Sequence, residues 1–140
     1  MWKQFCYLRG WYKISKLKGN RTERELFHMF WDSGLACTRT AGSGSTTVPA
    51  PDLLVGNQKK KFAIECKSGK NKRYLTKKEI NELIFFAEKF GAEPWVGIRF
   101  NNVDWLFLKP NDLGVSKGEN YFISLELAKE KGISFNDLIK

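Results

Sequence analysis

The segment from residue 52 to residue 68 restricts the fold most, because two strand-like runs stand there on either side of a short polar turn. The runs "DLLVG" (52–56) and "KFAIECKS" (61–68) are rich in apolar residues. The four residues between them, "NQKK", are polar and typical of a turn. We therefore predict that the two runs form a β-hairpin.

Charged residues lie on one side of the second run. Side chains alternate along a strand, so Glu65 and Lys67 share a face, and Asp52 at the start of the neighbouring strand lies within reach of Glu65. Such charges are costly to bury unless they are paired or bind a metal. One interpretation is a solvated outer sheet face with an ion pair between Glu65 and Lys67. The other is a Mg²⁺ site made by two carboxylates with an ammonium beside them, which Pro51 favours because it fixes an extended entry to the strand.

The rest of the chain predicts a mixed α/β fold, with a central sheet flanked by helices. The predicted elements are a helix at 22–33, a strand at 35–40, a helix at 76–90, strands at 93–100 and 103–110, and a short strand with one or two short helices after residue 121. Thr76 and Glu79 match a capping box, and Asn101-Asn102 matches a two-residue type I′ turn. We expect a Gly/Ser/Pro loop at 41–51 and a basic loop at 69–78. Residues 1–17 are predicted to be a basic, aromatic N-terminal extension, and residues 18–140 a single domain.

The charge and cysteine content limit the function classes. The 140 residues carry a formal charge of +9, which indicates a polyanionic partner, either nucleic acid or an anionic membrane surface. The three cysteines show no CxxC spacing, so we expect neither a disulfide framework nor a zinc site, and with one histidine paired-histidine catalysis is excluded. The sequence has no apolar run of about 20 residues and no secretory signal, so we expect no membrane partner and a cytoplasmic, reducing location.

Two glutamates near the start of the first helix have two explanations. If Thr22 is the N-cap, Glu25 is the third residue of a capping box, and if Asn20 is the N-cap, Glu23 takes that position. Against this, Glu23 shares a helix face with Phe27 and would point inward at one end of the helix. A functional carboxylate at Glu23 and a structural one both remain open at this point.

Several motifs together resemble a known family. They are "TERE" (22–25), "RTAGSGS" (39–45), Pro51-Asp52, "AIECK" (63–67) and "LIFFAEKFGAEPWVGIRF" (83–100), in this order. The sequence is similar to the archaeal-type Holliday junction resolvases of the PD-(D/E)xK nuclease superfamily. The resemblance covers roughly Lys18 to Lys109.

The resemblance implies a restriction-endonuclease-like fold and a divalent-metal-dependent endodeoxyribonuclease. Such an enzyme would resolve four-way DNA junctions in recombination and repair, cutting paired strands symmetrically as a homodimer. The implied cofactor is Mg²⁺, with Mn²⁺ as a substitute, and no small-molecule cofactor is expected. Two alternatives are another PD-(D/E)xK nuclease of restriction or repair type, and a non-catalytic nucleic-acid-binding module that kept the fold.

The resemblance also implies roles for individual residues. The implied metal ligands are Glu23, Asp52 and Glu65, which with Lys67 and Ser43 make up the implied catalytic set. The residues expected to contact DNA are Arg24, Arg39, Ser43, Lys70, Lys72 and Arg73. The last three lie in the predicted basic loop, where they would contact phosphates without reading sequence.

The second helix offers a dimer contact. Phe85 lies off the main apolar stripe of the helix and next to Phe86, and exposed apolar side chains indicate an interface. A dimer with two-fold symmetry would suit a four-way junction, which has approximate two-fold symmetry itself.

Overall fold

A mixed six-stranded sheet lies at the centre of the computed structural model, which describes residues 18–40 and 48–140. Its strands are β1 (Ala36–Arg39), β2 (Leu53–Gly56), β3 (Lys61–Gly69), β5 (Glu93–Phe100), β6 (Leu106–Leu108) and β9 (Ile133–Ser134). They are ordered β1-β2-β3-β5-β6-β9, and β3 and β5 are parallel whereas the other neighbours are antiparallel. The predicted mixed sheet is confirmed.

A second, three-stranded sheet was not predicted. It consists of β4 (Lys72–Leu75), β7 (Gly114–Val115) and β8 (Tyr121–Ser124), in the order β4-β8-β7. The prediction of a loop over 69–78 was therefore wrong for the residues of β4. Leu75 pairs with Tyr121 and is only 1% exposed, so burial against a distant part of the chain outweighs the basic local sequence.

Helices cover both faces of the main sheet. They are α1 (Lys18–Asp32), α2 (Lys77–Phe90), α3 (Leu125–Lys131) and α4 (Phe135–Ile139). On one face, Leu26 and Phe30 of α1 pack with Phe62 and Ile64 of β3. Each of these fully buried side chains contributes about 1.5–3 kcal/mol relative to exposure.

The opposite face is covered by α2 and α3. Ile80 and Leu83 of α2 are buried in one cluster with Ala63 of β3 and Ile98 of β5, and Ala128 of α3 belongs to the same cluster. The sheet is thus flanked by helices, as predicted. In the part of the chain that the structure describes, no helix is both long and apolar enough to cross a membrane.

The predicted β2–β3 hairpin is confirmed. Its strands pair from Leu53 opposite Ile64 to Gly56 opposite Lys61. Asn57 closes the turn, because its Oδ1 accepts the backbone N–H groups of both Lys59 and Lys60 at 2.8 Å. The hairpin places alternate residues of β3 on opposite faces of the sheet.

Two local predictions were wrong. Helix α1 begins at Lys18, so Asn20 and Thr22 lie inside it and cannot be its N-cap. The backbone N–H of Val103 donates to the carbonyl of Phe100 around Asn101-Asn102, but only Asn102 of the two has a positive φ, of 60°. A type I′ turn requires both residues to have a positive φ, so the turn is of another type.

Candidate active site

Asp52 is fixed where the β2–β3 hairpin meets β1. It directly precedes β2, and its carbonyl accepts the N–H of Thr40 at 3.0 Å. Its side-chain Oδ2 accepts the backbone N–H of Cys66 at 2.8 Å. This bond crosses from the start of β2 to β3, so the carboxylate is directed at the neighbour of Cys66 in the chain.

That neighbour, Glu65, lies in contact with Asp52. The side chain of Glu65 is 16% exposed, and the two carboxyl groups are within hydrogen-bonding contact. Burial and, to a smaller extent, the charge of Asp52 raise the pKa of Glu65 to about 8, although the charge of Lys67 opposes the rise. Two carboxylates are thus held together at a site where one of them takes up a proton at neutral pH.

Lys67 follows on the same face of β3. Its Nζ lies 4.0 Å from Oε2 of Glu65 and 2.5 Å from Oε1 of Glu79, and the Lys67 side chain is 13% exposed. The interpretation of a solvated outer face does not hold, because neither Glu65 nor Lys67 is open to solvent. The ion pair between these two residues is long, and the short contact is with Glu79 on α2.

Glu79 was predicted as a capping residue only. The predicted capping box is present: Oγ1 of Thr76 accepts the N–H of Glu79 at 3.1 Å, and Oε2 of Glu79 accepts the N–H of Thr76 at 2.8 Å. Burial raises the pKa of Glu79, but the hydrogen bonds from Lys67 and Thr76 lower it by more, so the net shift is downward. Sequence reasoning missed its contact with Lys67, since the packing of α2 against β3 cannot be read from the capping pattern.

Glu23 lies beside this cluster rather than within it. Its Oε1 is 3.4 Å from Nε of Arg39, and the two side chains are 18% and 27% exposed, respectively. Burial raises the pKa of Glu23, and the charge of Asp52 raises it as well, whereas Arg39 and Arg24 lower it. Glu23 is therefore near enough to Asp52 for the charge of Asp52 to raise the pKa of Glu23. The side chain of Glu23 nevertheless contacts Arg39 in this structure.

Glu25 has a structural role that differs from the predicted cap. Its Oε1 accepts hydrogen bonds from Nε1 of Trp105 at 2.7 Å and from Nε of Arg99 at 3.1 Å. These bonds join α1 to the last residues of β5, at Arg99, and to Trp105, which directly precedes β6. The β5–β6 ladder ends at the pair of Ile98 with Leu106, so Arg99 and Trp105 lie beyond it.

The residues expected to contact DNA fall into two groups. Lys70, Lys72 and Arg73 are exposed at and beyond the end of β3, whereas Arg24 and Arg39 are half-buried near Glu23. Ser43 lies outside the described residues.

Comparison with known proteins decides the family. A family model described as "Archaeal holliday junction resolvase (hjc)" matches residues 14–140. The chain belongs to this family. The match reaches the C-terminus, so the predicted limit of the resemblance at Lys109 was too short.

Individual relatives agree with this assignment. The chain is similar to two proteins named crossover junction endodeoxyribonuclease Hjc. The one from Archaeoglobus fulgidus is 36% identical over 129 residues, covering 87% of this chain and 95% of the relative. The one from Methanocaldococcus jannaschii is 38% identical over 123 residues, covering 87% and 86%. The solved structure of A. fulgidus Hjc, described as a Holliday junction resolvase, matches with a TM-score of 0.80 and 30% identity over 87% of this chain and 100% of that one. The chain therefore has the restriction-endonuclease-like fold and is a nuclease of the Hjc family.

Nucleases of this kind generally use a divalent metal. Among residues 18–40 and 48–140, no three His, Cys, Asp or Glu side chains are grouped closely enough to hold a metal ion. Asp52 and Glu65 nevertheless fit a divalent cation. They are two oxygen donors in contact, and a cation bound between them would displace the proton that Glu65 holds. Magnesium is commonly bound by one or two carboxylates, with waters and substrate phosphate oxygens completing its coordination.

Proposed function

We propose that this chain resolves four-way DNA junctions as a structure-selective, Mg²⁺-dependent endonuclease, with Mn²⁺ as a substitute. The observation that carries the proposal is the contact between Asp52 and Glu65 beside Lys67 in a chain of the Hjc family. Relatives that match most of the chain bear the name crossover junction endodeoxyribonuclease, which supports the junction as substrate.

The chemistry needs an activated water and stabilisation of the charge that develops on the phosphoryl oxygens. A divalent cation bound at Asp52 and Glu65 would supply the acidified water and part of that stabilisation. Asp52 is held in place by the N–H of Cys66, so its carboxylate is oriented before substrate arrives. To serve as a ligand Glu65 would have to be ionised, so binding of the cation there would depend on pH.

Lys67 supplies a fixed positive charge at the same place. Its ammonium lies on the same face as Glu65 and is largely shielded from water, so its field is stronger there than at the surface. Stabilising the growing charge on a phosphoryl oxygen is the role that such a group can play with little reorganisation.

The proposal also assigns roles to Glu23 and Arg39. We assign Glu23 as a third ligand, which requires that it leave Arg39 when DNA binds, with a phosphate taking its place on the guanidinium. Arg24 and the exposed Lys70, Lys72 and Arg73 are assigned to phosphate contacts. The assignment of Ser43 to the site rests on the family resemblance alone.

Symmetric cutting requires two active sites, so we assign the working form as a homodimer. Helix α2 exposes two phenylalanines, because Phe85 and Phe90 are 50% and 49% exposed. Apolar side chains in this setting favour a contact between copies of the chain.

A Phe85→Ser variant is expected to shift the dimer towards monomer in sedimentation equilibrium, and an unchanged dimer would remove this face from the proposal.

The junction assay tests the whole proposal. The protein is incubated in Mg²⁺ with a labelled four-way junction, a linear duplex and a flap of matched sequence, beside the variants Glu65→Gln and Glu88→Gln. Glu88 is exposed on α2 and serves as the charge-matched control. We expect paired nicks in the junction alone, retained in Glu88→Gln and lost in Glu65→Gln while junction binding persists.

Other outcomes assign other functions. Cleavage of the linear duplex at the rate of the junction would indicate a nuclease of restriction or repair type. Junction binding with no cleavage of any substrate by the unmodified protein would indicate a binding module.

A further inference from the structure

Glu79 is the acidic side chain in closest contact with Lys67, and the proposed chemistry does not use it. Oε1 of Glu79 lies 2.5 Å from Nζ of Lys67, whereas the nearest oxygen of Glu65 lies at 4.0 Å. Lys67 therefore reaches Glu65 only at the limit of an ion pair. The ammonium is held mainly by a residue of α2 and not by its neighbour on β3.

The two oxygens of the Glu79 carboxylate have separate tasks. Oε2 accepts hydrogen bonds from the N–H and the hydroxyl of Thr76, at 2.8 and 3.2 Å, and Oε1 accepts the ammonium. The bond from the backbone N–H of Thr76 is the shorter of the two and fixes the plane of the carboxylate, so it also fixes the position of Oε1. The first turn of α2 thereby sets the position of the Lys67 ammonium.

This arrangement matters once the carboxylates of the hairpin are engaged. A ligand role for Glu65 would direct its oxygens towards a cation, and Glu79 would remain as the carboxylate that retains the ammonium. A lysine side chain carries about 2 kcal/mol of rotamer entropy, so an unanchored Lys67 would spread over several positions. A misplacement of about 1 Å can cost roughly a hundredfold in rate.

We propose that Glu79 is the positioning residue of Lys67 and holds its ammonium at the phosphate to be cut. The inference rests on the proposed function, since it assigns Lys67 to the phosphoryl oxygens. It adds a residue of α2 to a site otherwise built from α1 and the β2–β3 hairpin.

Two variants separate positioning from helix capping. Glu79→Gln retains an oxygen that can accept the N–H of Thr76, because glutamine also serves in a capping box, but it removes the negative charge from Lys67. Thr76→Ala removes the capping hydroxyl and leaves the carboxylate of Glu79 on Lys67. The second variant is therefore the matched control for any loss of helix stability.

Cleavage is measured under single-turnover conditions with saturating enzyme and Mg²⁺, together with the junction Kd in EDTA. We expect Glu79→Gln to slow cleavage about 10–100-fold, as loss of a supporting residue commonly does, with the junction Kd changed less than about twofold. Thr76→Ala is expected to lower Tm by about 3–5 °C while cleavage stays within about threefold of the unmodified protein. In the Lys67→Ala background, adding Glu79→Gln should have no further effect on the rate.

A second readout does not depend on activity. In ¹H–¹⁵N spectra of the lysine ammonium groups, a carboxylate-bound ammonium on a side chain that is only 13% exposed exchanges slowly with water and gives an observable signal. We expect this signal to disappear in Lys67→Ala and Glu79→Gln and to persist in Thr76→Ala.

Four results would overturn the inference. They are wild-type cleavage by Glu79→Gln, an equal loss of rate in Thr76→Ala, a further loss in the Lys67→Ala background, and an ammonium signal that survives in Glu79→Gln. Failure of the proposed function is distinguishable, because cleavage of another DNA in place of the junction would overturn that function, and the same variants could be compared on the DNA that is cut.

Discussion

Replacing Glu65 by glutamine is expected to stabilise the metal-free protein at high pH while abolishing cleavage. The folded protein holds a proton on Glu65 up to about pH 8, whereas an ordinary glutamate releases it near 4.5. Between these values the folded state binds more protons than the unfolded state, so the free energy of unfolding falls as the pH rises. A glutamine has no proton to lose, so the variant lacks this fall.

The magnitude follows from the same two values. The contribution of the Glu65 proton to the free energy of unfolding falls by about 1.4 kcal/mol for each pH unit. This gives an upper limit of about 5 kcal/mol between pH 4.5 and pH 8. Water reaches the 16% of the side chain that remains exposed, and we therefore expect about 2–4 kcal/mol to be observed. The stability advantage of the variant over the unmodified protein should increase from pH 5 to pH 8 and be constant above it.

The measurement is urea unfolding in EDTA at constant ionic strength, at pH 5.5, 6.5, 7.5 and 8.5, for the unmodified protein, Glu65→Gln and the exposed control Glu88→Gln. Taking differences between proteins removes the titration of all shared groups. A difference for Glu65→Gln that is the same at every pH, or that shrinks as the pH rises, would refute the reasoning. So would an equal pH dependence in Glu88→Gln.

Three further outcomes are expected. Mg²⁺ affinity, measured by calorimetry, should rise by up to about tenfold per pH unit below pH 8, because binding displaces the proton of Glu65, and a pH-independent affinity would contradict this. Glu25→Ala should lower the free energy of unfolding by about 1–3 kcal/mol in urea titrations, because it leaves the buried indole N–H of Trp105 without its acceptor, whereas Glu88→Ala should change it by less than about 0.5 kcal/mol. The double variant Lys72→Ala with Arg73→Ala should reduce the slope of log K against log salt for junction binding by about 1–2, measured by fluorescence anisotropy, and an unchanged slope would remove these side chains from the phosphate contacts.

Local patterns were sufficient to predict the hairpin and the faces of its strands. The polar turn at 57–60 and the alternation along β3 are properties of neighbouring residues, so the shared face of Glu65 and Lys67 could be read directly from the sequence. The capping box at Thr76 and Glu79 was predicted for the same reason. The burial of that face could not be predicted, since it depends on α2 and on the second sheet.

Features that join distant parts of the chain were missed. The pairing of β4 with β8 spans more than forty residues, from Leu75 to Tyr121, and no local signal distinguishes such a strand from a basic loop. The bonds of Glu25 to Arg99 and Trp105 span 74 and 80 residues, so the local pattern at the helix start indicates only a possible cap. In both cases the local assignment was plausible, and a tertiary contact decided the outcome.

The charged face of β3 shows why stability alone does not explain these residues. Glu65 is held beside Asp52 with its pKa raised to about 8, so the ionised form destabilises the metal-free fold. An apolar residue at position 65 would pack against α2 without this cost. Asp52 is nevertheless directed at Glu65 by the N–H of Cys66, and Lys67 is held nearby by Glu79. A repulsive pair that is oriented by its own hydrogen bonds, with a cation anchored beside it, is better suited to binding a further ligand than to stabilising the sheet.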